Sequence, residues 1–492
     1  MKAFKKSISV ILAIAVLLSM LACFSACFGT PGNQGEQGVP GIQGAQGEKG
    51  EQGPQGEKGE QGEAGKDGEN GLAGKSAYEI AVENGFNGTV EEWLESLKAE
   101  VSGLVIPFDF YPLPDGTYGV MAGKTQYLED IEIPATYNGK AVTRILPNAF
   151  IGAENLKSVI IPDSVTSIDN TAFSDCLALN SVTIGNGVTS IGNSAFARCD
   201  GLTEIVIPDS VTSIGGYAFQ SCTGLTEIVI PDSVTSIEYC AFSNCTGLTE
   251  IVIPDSVTSI GEGAFMFCTG LTEIVIPDSV TSIGERAFAY CEGLTSVTIG
   301  NGVTSIGGYA FYGCTGLTSI VIPNSVTSIG FEAFARCYGL TEIVIPDSVT
   351  SIGSEAFQSC TGLTSVTIGN GVTSIGGYAF QSCTGLTSVT IGNGVTSIGG
   401  YAFLGCTGLT SITIPDSVTS IGICAFVNCT GLTSITIPDS VTSIEDCAFE
   451  SCTGLTSIKY RGTKAQWNAI TKGFGWNENT GNYTITYNYQ GE

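Results

Sequence analysis

CTGLTEIVIPDSVTSIEYCAFSN, residues 222–244, decides the fold, because close copies of it run without a change of length from about Ala153 to Ser451. Phe173, Phe196 and Phe219 begin a column that continues in steps of 23 residues to Phe449, and Cys176, Cys199 and Cys222 begin another that ends at Cys452. A fixed period of this size means that one supersecondary unit stacks on the next and touches only its neighbours. Most of the 492 residues therefore belong to one solenoid, not to a series of globular domains.

Within one unit the apolar positions are Cys222, Leu225, Ile228, Ile230, Val234, Ile237, Ala241 and Phe242, and the positions between them are mostly Thr, Ser, Glu, Asp or Gly. Leu225-x-x-Ile228-x-Ile230 has the strand pattern of a leucine-rich repeat, in which alternate side chains enter the core and the others line a parallel sheet. Val234 and Ile237 fall in a second extended stretch, and Ala241-Phe242 in a short turn or 3₁₀ segment. The fold expected is a β-solenoid of 23-residue period, with a parallel sheet and short helical turns. A lone unit has nothing to bury its apolar set against, so stacking is obligatory and the array needs special ends. Residues 104–152 supply one end: Leu128-x-x-Ile131-x-Ile133-Pro134 to Phe150 is a stretched unit with extra residues around YNGKA (137–141). The repeat array itself covers 153–458, and the aromatic, polar segment 459–492 reads as the other cap.

The stretch IPDSVTSIGGYAFQSCTGLT (207–226), with its Ala-Phe and Cys columns, resembles the BspA-like leucine-rich repeat surface proteins, and the likeness covers Leu128 to Ile458. The resemblance implies a curved β-solenoid displayed on a bacterial cell surface. It also implies a role in adhesion, with host matrix proteins such as fibronectin or fibrinogen as partners.

Residues 1–26 read as a signal peptide, with Lys2, Lys5 and Lys6 ahead of an apolar run from Ile8 to Leu21. That run is short of the roughly 20 residues that span a bilayer. Ala26-Cys27 resembles a bacterial lipobox, so Cys27 is the expected lipid attachment site, with Cys23 as the alternative and a plain secreted protein as the other reading. Lipidation would hold the exported chain to the membrane at the cell surface. From Gly29 to Gly74 every third residue is glycine, the pattern demanded by a collagen triple helix, where only glycine fits at the axis. Segment 27–75 is thus a collagen-like stalk that would make a homotrimer, although Pro31, Pro40 and Pro54 are its only prolines and a flexible linker is the alternative. Residues 76–103 look helical: Thr89 and Glu92 form a capping box, and Trp93, Leu94, Leu97 and Val101 give one apolar face. This segment resembles a module that recurs beside bacterial collagen-like runs, where it would register a trimer or simply link stalk to head.

Composition excludes several functions. With 47 acidic against 19 basic residues and a net charge of −28, the chain lacks the clustered cations that bind nucleic acid. It has no histidine, which removes Ser-His-Asp and Cys-His catalysis and the commonest metal ligand. We expect no enzyme activity, no cofactor and no metal.

The cysteine column belongs to the core set, with parallel side chains that do not converge as a disulfide requires. Buried cysteine of this kind acts as a small hydrophobe. Cys240, Cys424 and Cys447 lie outside that column, and Cys424 and Cys447, 23 residues apart, are candidates for one disulfide. The Asp/Asn position of the Pro-Asp-Ser and Gly-Asn-Gly turns, Asp232 for example, is expected to bond its own backbone two residues on. No such local duty explains Glu204, Glu227, Glu250 and Glu273, which with Val206, Val229, Val252 and Val275 form an outward stripe over four consecutive units. That stripe is the candidate binding face for an extracellular protein or glycan; its other reading is a solvated, solubilising surface.

Overall fold

The computed structural model describes residue 89 and residues 108–124 and 128–491. The signal segment, Cys23 and Cys27, the glycine triplets and the module of 76–103 apart from Thr89 lie outside those residues.

Each coil of the array contributes a first strand, such as Glu227–Val229 or Ser365–Ile368, and a two-residue second strand, such as Ser236–Ile237 or Ser374–Ile375. The alternation Glu-Ile-Val places Ile228 inside and its neighbours outside, as period two requires. Both strands pair in parallel with the same residues one period on: Ile228 lies beside Ile251, and Ile237 beside Ile260. The expected parallel solenoid is therefore the observed one.

The Ala-Phe segment forms the third side as a tight turn. Two residues of it are left-handed, Tyr217 (φ 60°) and Ser221 (φ 57°) in one coil, and the same positions recur in the others, mostly without glycine. A non-glycine residue there costs about 1–2 kcal/mol. The return is directional, since the turn aims alternate amides along the axis: Tyr217 donates to the Tyr239 carbonyl (2.9 Å), Phe219 to Ala241 (2.8 Å) and Ser221 to Ser243 (2.7 Å).

Side chains repeat the same logic. Thr226 donates its amide (3.0 Å) and its Oγ1 (3.1 Å) to the Thr203 carbonyl, and Thr258 Oγ1 bonds the Thr235 carbonyl (3.2 Å) on the second-strand side. The core cysteines are free and buried, and Cys222 Sγ donates to the Phe196 carbonyl at 3.1 Å. Burial pushes thiols such as Cys222 and Cys268 up to about 12, so they stay protonated and inert. The aspartate turns depart from expectation: Asp163 and Asp278 accept from the amides of Asn186 (2.7 Å) and Asn301 (2.6 Å) in the next coil, not from their own turn. In these Asp-to-Asn steps the side chain is a rung between coils, because the carboxylate faces the following turn and reaches its N–H.

Phenylalanine rings fill the centre. From Phe150 to Phe449 successive centroids are 5.0–5.6 Å apart and planes lie within 9° of parallel. Each end of the stack is closed edge-on, by Phe108 against Phe150 (6.3 Å, 81°) and by Trp476 against Phe449 (6.2 Å, 85°).

The N-terminal cap is a hairpin, Asp109–Pro112 with Tyr118–Met121, which covers an otherwise open strand. The extra residues of YNGKA make a second hairpin, where Asn138 (φ 50°) and Gly139 (φ 72°) turn Thr136–Tyr137 onto Lys140–Ile145. After Ile458 the sequence leaves the repeat, but the path continues. A helix at Lys464–Ala469, opened by a Thr463/Gln466 capping box, leads to Thr471–Lys472 on the second sheet, and Thr484–Thr486 then extends the first. Trp476 stands at the alanine position of the Ala-Phe pair in this last coil, with Asn477 at the phenylalanine position, and the Trp476 carbonyl accepts the Phe449 amide at 2.7 Å as an alanine carbonyl does elsewhere.

Truncating a central ring removes contacts on both of its faces. We expect Phe288→Ala to cost about 3–5 kcal/mol in urea unfolding followed by circular dichroism. Phe449→Ala, beside the cap, should cost less because the end can fray. Equal, sub-kilocalorie losses at both sites would show that the stack does not carry the core.

Candidate functional site

Successive first strands set Glu204 beside Glu227 and Glu227 beside Glu250, and Glu273 opens the next first strand. Adjacent strands lie about 4.8 Å apart, so four like charges stand at a spacing that opposes stacking. Among the described residues none of the four forms an ion pair. Beside them Val206, Val229, Val252 and Val275 are 76, 55, 61 and 59% exposed, while Ile205 between the two columns is buried. The stripe has a sharp C-terminal boundary, where Glu273 pairs with Ser296 and Val275 with Thr298. Near that boundary Glu250, Val252, Asp255, Glu273 and Val275 line a groove of ≈ 450 Å³. The structure thus gathers the predicted stripe residues on one face, as a bounded patch of acid and apolar side chains. Further along, the same sheet is hydroxyl-rich, and Ser388, Thr390, Ser411 and Thr413 line a second groove of ≈ 360 Å³ beside the Arg461–Asp416 ion pair (2.6 Å).

Cys424 and Cys447 occupy one left-handed turn position on adjacent coils (φ 54° and 56°), and both are free, half-buried thiols. Tyr401 and Cys447 both hydrogen-bond the Cys424 side chain. Desolvation and the nearby Glu450 push Cys447 up to about 12, so it is a thiol and a poor nucleophile at neutral pH.

A second cluster escaped the sequence reading. Around the Ala-Phe turns the residue type changes from coil to coil: Tyr217, Cys240, Gly263, Arg286, Tyr309, Glu332 and Glu355 share a single position. Over four successive coils this edge is aromatic. Phe267 stacks on Tyr290 (4.8 Å, 9°), Tyr290 meets Tyr312 edge-on (5.1 Å), and Tyr309 meets both Tyr312 (5.7 Å) and Phe331 (5.2 Å). The Arg286 guanidinium lies over Tyr309 (4.6 Å) and that of Arg336 over Tyr312 (5.4 Å), while Glu262 and Glu285 pair with Arg286. Burial, then the Glu355 carboxylate, raise Glu332 to about 7 against the opposing effect of Tyr309, Arg336 and Arg286. The available signal was the variation itself, since the core columns scarcely change while these positions do.

A parallel solenoid with Leu-x-x-Ile-x-Ile strands is a leucine-rich repeat protein. The sequence profile of the BspA type leucine rich repeat region matches residues 123–249, 235–364 and 350–470, and the chain belongs to that family. The collagen triple helix repeat profile matches residues 27–80. A leucine-rich repeat protein from Bacteroides ovatus is similar in structure, with a TM-score of 0.67 and 29% identity over 78% of this chain and 99% of its own. A leucine rich cell surface protein from Faecalibacterium prausnitzii is 36% identical over 75% of this chain and 96% of its own, with a TM-score of 0.46. A comparison with curated proteins gave no match. The family is one of bacterial cell-surface proteins with binding or structural roles. Among the described residues no helix is long and apolar enough to cross a membrane.

Two outcomes follow from these electrostatics. Replacing Glu204, Glu227, Glu250 and Glu273 together by Ser, the residue present in other coils, should raise Tm by a few degrees at low salt. The gain should shrink in 1 M NaCl, where screening is nearly complete. A variant less stable than wild type would mean that the stripe serves the fold. For Glu332 the folded value lies above the ordinary one, so between roughly pH 4.5 and 7 the folded state holds a proton that the unfolded chain has released. The urea midpoint should fall as pH rises through that window, and Glu332→Gln should flatten the slope.

Proposed function

We propose that this chain is an exported, lipid-anchored surface protein whose repeat head binds an extracellular partner through the glutamate–valine stripe, without catalysis. Cys27, with Cys23 as the alternative, would carry the lipid, and the collagen-like segment would trimerise as a stalk that holds three heads away from the membrane. Three weak sites on one stalk bind through a high effective concentration of the second and third. The observation that carries the reading is four carboxylates that open four successive first strands beside exposed valines, Glu204, Glu227 and Glu250 paired in register, with Ser296 following Glu273. Such an arrangement costs the fold electrostatic energy, and a partner with basic groups around an apolar centre would relieve it. Family resemblance directs the search to matrix proteins such as fibronectin and fibrinogen.

A structural spacer or biofilm component with no receptor is the second reading, favoured by the near-identity of the units. Binding of the full chain to immobilised fibronectin, fibrinogen, mucin and collagen separates the two. Saturable, salt-sensitive binding that falls at least tenfold in the four-glutamate variant supports the stripe. No binding to any of the four would favour the spacer.

A further inference from the structure

The thiols of the core column are turned to backbone: Cys429 Sγ donates to the Phe403 carbonyl (3.1 Å) and Cys452 Sγ to the Phe426 carbonyl (3.1 Å). Cys424 and Cys447 are held differently. They occupy the first left-handed position of the Ala-Phe turn on adjacent coils, both are half-buried, and Cys447 hydrogen-bonds the Cys424 sulfur.

Side chains at this turn position lean along the axis toward the next coil. Cys240 Sγ comes within 2.8 Å of the point that a Cβ on Gly263 would occupy, and Cys447 Sγ within 3.6 Å of the same point on Gly475. A disulfide needs this approach, with the sulfur of one residue beside the Cβ of the other and Cα atoms roughly 4.4–6.8 Å apart. One coil advances about 4.8 Å, inside that window. Cys240 and Cys447 face glycines in the following coil, so Cys424 is the one that meets a second thiol there.

We propose that Cys424 and Cys447 form a disulfide-exchange site, where a low-molecular-weight disulfide oxidises the pair and bonds the last two regular coils to each other. The site is separate from the glutamate–valine stripe and does not depend on it. Its half-buried sulfurs admit a small reagent, and a cell-surface family meets oxidants that cytosolic proteins do not.

Neighbouring groups divide the roles. Burial raises the Cys424 thiol, but hydrogen bonds from Tyr401 and Cys447 to its sulfur favour the thiolate. Desolvation, and then the hydrogen bond to the Glu450 carboxylate, push Cys447 up to about 12. Cys424 is therefore the attacking sulfur. Its thiolate attacks one sulfur of the external disulfide, the S–S bond breaks, and one thiolate leaves while a mixed disulfide stays on Cys424. Cys447 then gives its proton to Glu450, attacks the Cys424 sulfur and expels the second thiolate. The two leaving thiolates take up the two protons, so two protein thiols and one external disulfide become one protein disulfide and two external thiols. The new bond closes a loop of one 23-residue period, which removes entropy from the unfolded chain.

The test incubates the full, folded chain with glutathione disulfide, alkylates the remaining thiols in urea and maps the peptides by mass spectrometry. The expected product is a Cys424–Cys447 bridge that dithiothreitol reverses, in a chain that melts above its reduced form. Cys447→Ser should stop at glutathione on Cys424, and Cys424→Ser should give neither product. Glu450→Gln should slow closure at least tenfold and leave formation of the mixed disulfide unchanged. Ser194 holds the same turn position in another coil, and Gln358 and Gln381 hold the Glu450 position, so these replacements suit the stack. Absence of both bridge and mixed disulfide, bridges to core cysteines in equal yield, or glutathione on Cys447 in Cys424→Ser would overturn the proposal. So would an unchanged closing rate in Glu450→Gln, or an oxidised chain that melts below the reduced one.

Discussion

Parallel stacking of like on like is the constraint on which the rest of this structure depends. Every coil presents amides and carbonyls along one axis, and the next coil must present the complementary set at the same height. The left-handed residues of the Ala-Phe turn enforce this on the third side, where no strand exists: Tyr217, Phe219 and Ser221 each find a carbonyl one coil on. An insertion in one unit would put those donors out of step with their acceptors. That is the physical reason why the period of 23 residues does not slip from Phe173 to Phe449.

Once the register is fixed, side-chain columns follow, and each column acts as one extended interaction. Phenylalanine rings stack from Phe150 to Phe449, threonine hydroxyls climb from carbonyl to carbonyl, and thiols bond backward to the phenylalanine carbonyls. Eighteen cysteines in a member of a cell-surface family would ordinarily suggest disulfides. In the core column, burial and the demand for a small apolar side chain explain them without one. The ends need different chemistry, because a flat ring column would otherwise expose its last face. Phe108 and Trp476 both close it edge-on, although one sits at the N-terminal hairpin and the other in a coil that no longer follows the repeat.

Repetition also shapes how such a protein binds. A side chain placed outward on one strand is multiplied at a strand spacing, so a small change in the unit becomes a stripe. Glutamate and valine from Glu204 to Val275 make one such stripe, the pair returns at Glu342 and Val344, and hydroxyls line the first strands around Ser388 to Thr413. The turn edge works in the opposite way: residue types there change from coil to coil, although some of them, Cys240 and Tyr312 among them, are buried. Unlike side chains from neighbouring coils, such as Tyr309 with Phe331 and Arg336 with Tyr312, meet there.

Sequence alone determined the solenoid, its 23-residue period, the core columns and the outward placement of the Glu204–Glu273 stripe, because period-two alternation and a rigid repeat leave one way to bury Ile228, Ile230 and Phe242 together. The tertiary structure decided what depends on neighbours across coils. Asp163 and Asp278 looked like local turn formers, yet their partners are the amides of Asn186 and Asn301, 23 residues away. The segment after Ile458 lost the pattern but kept the path, since Trp476 offers the Phe449 amide a carbonyl regardless of its own side chain. Phe267, Tyr290, Tyr309 and Phe331 come from different units and look like scatter along the chain. They become one surface only when stacking brings each coil to within about 5 Å of the last.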